Sequence, residues 1–317
     1  MPKIAFMFPG QGSQQVGMGR DLFRDDAYFG GLIELGADLT HEDLKTLCLR
    51  GPEKRLRRSF FLQPLMVAVS LGYRNCLAEA GVEADVVLGH SLGEISALAA
   101  AGVVSDEDAI RVAVKRGELM DHAASVCEGS MLAVISVGVD AVNALITELD
   151  APGRITLAND NAPEQVVVSG ETELLKTFAG LVASRKLGKC RPLSVSGPWH
   201  GPQMIPAREA FEAWIADAAF EVPALPLVLN ATGKVEREPV TIKALISLQL
   251  ASPVLWRDCM DTVRNMGVDT LLEVGPGRVL SGLARANHFG GGTRVFNINN
   301  LRGLAHYREE AGQAAEE

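Results

Sequence analysis

Three short apolar runs that each end in a glycine-rich turn limit the fold more than any other feature of this sequence. They are KIAFMFPGQGSQ (3–14), DVVLGHSLGE (85–94) and DTLLEVGPGRVLSGL (269–283). Each has the order strand, tight turn, helix, and β-branched runs alternate with longer amphipathic stretches along the chain. Such turns gather at the carboxyl edge of a parallel sheet, where ligands commonly bind. The sequence therefore predicts an α/β protein whose site lies at that edge.

The middle of the chain has a different rhythm. MLAVIS, ITLAND, QVVVSG and CRPLSVS are predicted strands, and VDAVNALITELD and ETELLKTFAGLVASRK are predicted helices. Their order, βαββαβ, is the ferredoxin-like arrangement. We expect a ferredoxin-like subdomain at 126–196, inserted into a large α/β catalytic domain formed by 1–125 and 197–317. The mainly parallel sheet and the glycine-flanked serine of the large domain make it α/β-hydrolase-like.

Composition narrows the class of protein. With 317 residues, 47% of them hydrophobic, the chain can bury a sizeable core. A formal charge of −9 argues against nucleic acid as a partner, since phosphates need a basic face. No apolar run approaches the roughly 20 residues that span a bilayer. The apolar run before the first Pro-Gly turn is too short for a signal peptide. We therefore expect no membrane association and a cytoplasmic location.

The cysteines give no sign of a metal or redox site. The sequence has five, widely scattered and without a CxxC pair. Zinc sites and redox dithiols are built on such pairs. We expect reduced cysteines, no metal site and no permanently bound cofactor.

GHSLG matches G-x-S-x-G, the nucleophile elbow, with an apolar run before it and a helix-forming segment after it. Gly89 and Gly93 leave room for a sharp turn that would expose the Ser91 hydroxyl. The following helix would direct free N–H groups at an oxyanion formed there. An alternative is that Ser91 is only a helix cap, because serine is favoured at that position.

A nucleophilic serine needs a base, and the chain offers six histidines. His90 is adjacent to Ser91, where side chains on a turn diverge, so we expect it to line the pocket. His200 in SVSGPWHGPQM follows a strand and a Gly-Pro turn, which could present an imidazole at the sheet edge. In the first loop a dinucleotide fingerprint would need glycine where Gln15 stands. Backbone N–H groups of that loop could instead complete an oxyanion hole.

Several motifs in the same order together resemble one family. FPGQGSQ, GHSLGE, RVAVKRGELM, QVVVSG, SGPWH and EVGPGRVLSGL resemble those of the malonyl-CoA:acyl carrier protein transacylases of fatty acid synthesis. The likeness covers nearly the whole chain. It implies transfer of a malonyl group from malonyl-CoA to the phosphopantetheine thiol of holo-acyl carrier protein, by a ping-pong mechanism through a serine ester.

The resemblance also implies roles for single residues. Ser91 matches the nucleophile and His200 its general base. The backbone N–H groups of Gln11 and Leu92 match the oxyanion donors. Arg116 in VKRGELM matches the arginine that binds the malonyl carboxylate, for which a planar guanidinium offers two parallel hydrogen bonds.

Four further positions belong to the expected site or border it. The family orients its histidine with a backbone carbonyl, which corresponds here to Gln249, and no acid completes a triad. Trp199 stands where malonyl-specific relatives commonly have phenylalanine, and Gly201 where serine is frequent. A larger aromatic residue beside the acyl pocket favours malonyl over methylmalonyl groups. His90 is expected among the residues that bind substrate.

The expected partners are an acyl carrier protein and malonyl-CoA, or CoA as product, and the family usually works as a monomer. Carrier proteins are acidic, so docking needs local positive charge near the site entrance. Two basic clusters qualify: Arg50, Lys54, Arg55, Arg57 and Arg58, and separately Arg185, Lys186, Lys189 and Arg191. Both are equally compatible with an ordinary solvated surface.

Three rival functions stay open on sequence alone. The elbow permits a serine hydrolase, a thioesterase or esterase, with Asp160 as the acid of a Ser91–Asp160–His200 triad in the chain order of α/β-hydrolases. The same motifs serve acyltransferases of polyketide pathways. A non-enzymatic binding module would use Ser91 only as a cap.

Overall fold

The strands of the chain form two sheets. The computed structural model describes residues 3–24, 26–289 and 292–316. Its strands are β1 Ile4–Phe8, β2 Val86–Gly89, β3 Ser130–Ile135, β4 Ile155–Ala162, β5 Gln165–Gly170, β6 Lys189–Pro192, β7 Leu227–Leu229, β8 Lys234–Glu236, β9 Thr270–Val274 and β10 Arg294–Ile298. The six-stranded sheet has the order β10-β9-β1-β2-β7-β8, and only its β7–β8 pair is antiparallel. This confirms the predicted α/β class with a mainly parallel sheet.

Helices connect and cover the strands. They are α1 Ala27–Thr40, α2 Leu44–Arg50, α3 Glu53–Leu56, α4 Ser59–Glu79, α5 Gly93–Ala100, α6 Asp106–Val126, α7 Val139–Glu148, α8 Thr172–Ser184, α9 Ile205–Ile215, α10 Pro239–Leu248, α11 Trp256–Asn265, α12 Val279–Ala286 and α13 Leu301–Glu316. Short 3₁₀ segments lie at Pro202–Met204 and Gln249–Ala251.

The central strands of the large sheet are buried on both faces. IAFMF of β1 and TLLEV of β9 have almost no exposed residue, as expected for parallel strands covered by helices on two sides. On one face, α4 buries most of its length and packs against α6. On the other face, α11 and α12 pack with Trp256 and Leu283 in a second buried cluster. Helices on both faces thus support the strands whose carboxyl ends carry the glycine-rich turns.

The three glycine-rich turns meet at one edge, as predicted. They follow β9, β1 and β2, which are neighbours in the sheet. A Cβ at Gly10 would lie 2.3 Å from the His90 carbonyl oxygen, and one at Gly277 would lie 2.8 Å from the Ser13 carbonyl oxygen. Such distances exclude a side chain, so glycine lets the loops touch through their backbones.

The small sheet has the predicted βαββαβ order. It runs β4-β5-β3-β6 and is antiparallel throughout, with α7 and α8 in one apolar cluster with it. Backbone bonds of 2.9 Å from Asp160 N–H to Val254 O and from Val254 N–H to Ala158 O join it to the segment before α11. The boundaries 126–196 for a subdomain, and 1–125 with 197–317 for the large domain, stay a prediction.

Three further observations concern membrane-spanning helices, metal sites and the cysteines. Across the described ranges, no helix combines the length and the apolar character needed to cross a bilayer. In the same residues, no group of three or more His, Cys, Asp or Glu side chains is placed to hold a metal ion. The five cysteines are unpaired; Cys48 and Cys259 are buried and the others half-buried.

Candidate active site

The turn after β2 holds Ser91 in a conformation that serine seldom adopts. Its φ is +51°, in the left-handed region. A Cβ at Gly89 would lie 2.0 Å from the Gly93 carbonyl carbon, and one at Gly93 would lie 2.0 Å from the Phe8 carbonyl oxygen. Asn230 clamps the turn by accepting from Ser91 N–H at 2.7 Å and donating to the Gly89 carbonyl at 2.8 Å. The turn thus places Ser91 in the lining of a cavity, described below.

The structure brings Ser91 and His200 together although they lie far apart in sequence. Ser91 Oγ is 2.8 Å from His200 Nε2, and His200 Nδ1 is 2.8 Å from the main-chain oxygen of Gln249. A carbonyl oxygen only accepts, so Nδ1 carries the proton and Nε2 has a free lone pair toward the hydroxyl. The interpretation of Ser91 as a helix cap is wrong, because α5 has Leu92 at its cap and no side-chain cap bond.

Burial keeps His200 neutral. Only 4% of its surface is exposed. Desolvation, helped by the positive charge of Arg116, lowers the pKa of His200 from 6.5 to about 3. A neutral imidazole with a free Nε2 can accept a proton from the serine at neutral pH.

Asp160 does not join a triad with these residues. Its Oδ2 pairs with Arg257 at 2.7 Å, and its Oδ1 has no partner among the described residues. The Nδ1 atom that a triad acid would contact is taken by the Gln249 carbonyl. The hydrolase triad considered from sequence is therefore not formed.

Arg116 is buried beside the serine. It lies on α6 with 1% of its surface exposed. Its guanidinium donates to the side-chain oxygens of Gln63 at 3.1 Å and Gln249 at 2.9 Å, and to Ser91 Oγ at 3.2 Å. Desolvation lowers the pKa of Arg116 to about 10, which still leaves it charged. Within the described part of the chain, no carboxylate lies within 4.0 Å of this cation.

Two backbone N–H groups near the serine are available to an anion. In the described residues neither Leu92 N–H, at the start of α5, nor Gln11 N–H, after β1, donates a hydrogen bond. The Gln11 side chain accepts from Ser59 Oγ at 3.3 Å, which holds its loop against α4. The sequence predicted both as oxyanion donors, and they lie on adjacent loops of one sheet edge.

A cavity of about 450 Å³ opens onto the Ser91–His200 pair. Both sheets contribute walls, and its lining includes Gln11, His90, Ser91, Met120, Met131, Ala133, Asn161, Val167, Leu193, Ser194, Val195, Trp199, His200, Val279, Leu280 and Leu283. His90 Nε2 is 2.8 Å from Asn161 Oδ1, and its ring packs on Trp256 with centroids 5.3 Å apart. Trp199 is 4% exposed and packs over Gly197. The cavity is mainly apolar with polar groups at its base.

Some residues of the site were not predicted from sequence. Asn230 follows β7 and Gln63 lies within α4, and nothing near either in sequence marks it. Glu94 had a usable signal, since a carboxylate stands in the first turn of an otherwise apolar helix directly after the serine. Burial raises the pKa of Glu94 to about 8, although hydrogen bonds from Asn230 and Gln249 and the positive charge of Arg116 oppose the rise.

Known proteins resemble this chain in sequence and in structure. The sequence profile of the acyl transferase domain family matches residues 5–288. A malonyl CoA-acyl carrier protein transacylase of Bacillus subtilis is 34% identical over 286 residues, which are 90% of this chain and 90% of that protein.

Solved structures of such proteins have the same fold as this chain. A malonyl CoA-acyl carrier protein transacylase of Clostridium perfringens superposes with a TM-score of 0.91 at 30% identity, covering 99% of this chain and 98% of that one. A malonyl-transacylase in complex with the acyl-carrier protein of a type II polyketide synthase gives 0.89 at 32% identity, covering 96% and 98%.

Proposed function

The chain belongs to the acyl transferase domain family, and from that membership and the site geometry we propose that it transfers malonyl groups from malonyl-CoA to an acyl carrier protein. The acceptor is the phosphopantetheine thiol of the holo-carrier. The observation that carries the proposal is the buried Arg116 guanidinium, 3.2 Å from Ser91 Oγ and without a carboxylate partner in the described residues. An acyl group that ends in a carboxylate supplies the missing partner.

Acylation begins at the Ser91 hydroxyl. Its Oγ attacks the thioester carbonyl while His200 Nε2, 2.8 Å away, takes the proton. The oxyanion of the tetrahedral intermediate is held by the N–H groups of Gln11 and Leu92. Collapse breaks the carbon–sulfur bond, His200 returns the proton to the departing CoA sulfur, and malonyl-Ser91 remains.

The second half runs the same steps in reverse with a new thiol. The carrier's phosphopantetheine thiol gives its proton to His200, and its sulfur attacks the Ser91 ester. Collapse releases malonyl-carrier and restores the serine hydroxyl. The Gln249 carbonyl, 2.8 Å from Nδ1, keeps the imidazole in one tautomer through both halves.

Selection of the acyl group depends on Arg116 and the cavity wall. A guanidinium can hold the malonyl carboxylate with two parallel charge-assisted hydrogen bonds. Trp199, 4% exposed, narrows the space for an α-methyl branch, and His90 borders the acyl chain. The account therefore favours malonyl over methylmalonyl substrates.

The cellular setting is part of the proposal. We propose a cytoplasmic monomer that serves fatty acid synthesis and holds no permanent cofactor, with the acyl group carried only by Ser91 and by thiols. The support is the membership of the chain in the acyl transferase domain family and the resemblance of its motifs to the transacylases of fatty acid synthesis.

Transfer of labelled malonyl groups tests the function. We expect malonyl-CoA and holo-acyl carrier protein to give malonyl-carrier faster than free malonate, and apo-carrier, which lacks the thiol, to give none. Carriers from fatty acid and from polyketide synthesis should be compared in parallel. Malonate as the main product in the presence of holo-carrier would identify a hydrolase instead.

A further inference from the structure

Glu94 is a buried carboxylate that the proposed reaction does not use. It lies in the first turn of α5, three residues after Ser91, with 1% of its surface exposed. One of its oxygens accepts a hydrogen bond from Asn230 N–H and the other from the side-chain amide of Gln249. Burying a carboxylate costs free energy that these bonds only partly offset.

Gln249 links Glu94 to the reacting groups. Its main-chain oxygen accepts from His200 Nδ1 at 2.8 Å, and its side-chain oxygen accepts from Arg116 Nη2 at 2.9 Å. Its side-chain nitrogen donates to Glu94 and to the Ser91 carbonyl, the latter at 2.9 Å. One glutamine thus contacts the base, the cation and the backbone of the nucleophile.

The direction of the Gln249 amide decides whether Arg116 has this acceptor. A half-turn about the last side-chain bond exchanges the amide oxygen and nitrogen. Arg116 can only donate, so it needs the oxygen. The Glu94 oxygen that faces Gln249 accepts from the amide nitrogen, as does the Ser91 carbonyl. The two demands are met together in one orientation only.

We propose that Glu94 is a positioning residue for malonyl selectivity, which holds the Gln249 side-chain oxygen toward Arg116 and thereby fixes the guanidinium for the malonyl carboxylate. This inference rests on the proposed malonyl transfer. Glu94 touches neither substrate nor reacting atoms. It acts through Gln249.

Glu94→Gln tests the inference with little change in size. The new amide can still accept from Asn230 N–H, but it presents an N–H group to Gln249. The Gln249 amide then either turns, which sets its N–H group against the Arg116 guanidinium, or stays bound to the Ser91 carbonyl and is pushed away by the new N–H group. Both outcomes disturb the oxygen that Arg116 uses. In single-turnover acylation we expect kcat/KM for malonyl-CoA to fall about tenfold more than for acetyl-CoA, which has no carboxylate to lose.

Glu273→Gln is the matched control. Glu273 is fully buried on β9 and accepts from the N–H groups of Leu280 and Ser281 and from the Asn297 amide. This variant should lower the melting temperature but leave the malonyl-to-acetyl ratio unchanged. An equal loss for both acyl groups in Glu94→Gln would mean that Glu94 only stabilises the fold, and would overturn the inference.

Gln249→Met gives a second route, which also serves if Glu94→Gln does not fold. It removes the amide but keeps the main-chain carbonyl that His200 needs. The same ratio should fall by a similar factor, and adding Glu94→Gln should lower it no further. An unchanged ratio in Gln249→Met, or additive losses in the double variant, contradicts the inference. Failure of the wild-type protein to take up malonyl would instead refute the proposed function.

Discussion

Ser91, His200, Arg116 and Gln249 form one connected group of hydrogen bonds, in which Ser91 and His200 line the cavity and Arg116 and Gln249 lie behind them. Each contact has a consequence for the proposed chemistry. The Ser91 hydroxyl has an acceptor for its proton, and the His200 imidazole is held in one tautomer. The Arg116 guanidinium lies beside Ser91, where it can bind an anionic acyl group. In the proposed reaction, Arg116 selects the acyl group and His200 accepts the proton of Ser91. Substitutions at these two residues should therefore have different signatures.

Arg116→Ala should change which acyl group is transferred. We expect malonyl transfer to lose about 2 to 4 kcal/mol of transition-state stabilisation, the scale for removing a buried charged partner. The kcat/KM for short uncharged acyl groups should therefore rise relative to that for malonyl groups. The measurement is kcat/KM for malonyl-CoA and acetyl-CoA in parallel. Equal losses for both substrates would show that Arg116 does not bind the carboxylate.

The acylation rate should be nearly independent of pH on the acid side of neutrality. Burial and the charge of Arg116 lower the pKa of His200 from 6.5 to about 3, so the neutral base persists as the pH falls. We predict a flat single-turnover acylation rate between about pH 7 and pH 5, where an ordinary imidazole would become protonated. A tenfold decline with a midpoint near the ordinary histidine value would contradict this.

At the scale of elements, three loops on neighbouring strands place these groups. The loop after β1 carries Gln11, the turn after β2 carries Ser91, and the turn after β9 packs on the first loop. The close approach of backbones depends on glycine at positions where a Cβ would overlap main-chain atoms. The elbow is therefore sensitive to a single methyl group.

Gly93→Ala should damage both stability and activity. Its Cβ would lie 2.0 Å from the Phe8 carbonyl oxygen, and both backbones are held in the core. We expect a loss of about 3 kcal/mol or more in unfolding free energy, together with loss of acylation. Gly180→Ala in α8 is the control: nothing lies within 4 Å of its Cβ, so it should gain about 0.5–1 kcal/mol. Urea unfolding of both variants checks the difference.

Elements were predictable from sequence where the pattern was local. The three strand-turn-helix units and the βαββαβ order each occupy a continuous segment with clear apolar periodicity, and both were predicted. Motifs predicted that Ser91 and His200 belong to one site, and the structure brings them together. The oxyanion role of the first loop stays a prediction. Asn230, Gln63 and the role of Gln249's side chain depend on contacts between distant segments, and no local pattern encodes these contacts. The triad with Asp160 was wrong because chain order says nothing about which acceptor reaches His200 Nδ1.

At the scale of the whole molecule, the cavity lies where the two sheets face each other. Leu193, Ser194 and Val195 line it and directly follow β6, the exposed edge strand of the small sheet. Lys189 and Arg191 on that strand are exposed, as is Lys186 before it. In the other basic cluster, Arg55, Arg57 and Arg58 are paired with carboxylates, as Arg185 of the β6 cluster is with Glu148, and Arg57 lines the cavity. Both clusters are therefore candidates for docking an acidic carrier, and the β6 cluster can be altered without changing the cavity lining.

Charge reversal at that cluster should weaken only the carrier half-reaction. For the double variant Lys186→Glu and Lys189→Glu we expect the KM for acyl carrier protein to rise about tenfold at low salt, with acylation by malonyl-CoA unchanged. Lys176→Glu, on α8 and paired with Glu173, is the net-charge control for the single variant Lys186→Glu, since both change the charge by two. An unchanged carrier KM would remove the cluster from the docking surface.

The most direct test of the account is the intact mass of the protein after brief exposure to malonyl-CoA. Ser91 Oγ lies 2.8 Å from a neutral imidazole, so the wild-type protein should gain one malonyl group and lose it again when holo-acyl carrier protein is added. Ser91→Ala should stay unmodified. A wild-type protein without an adduct, or an adduct that survives in Ser91→Ala, would contradict the claim that Ser91 is the nucleophile.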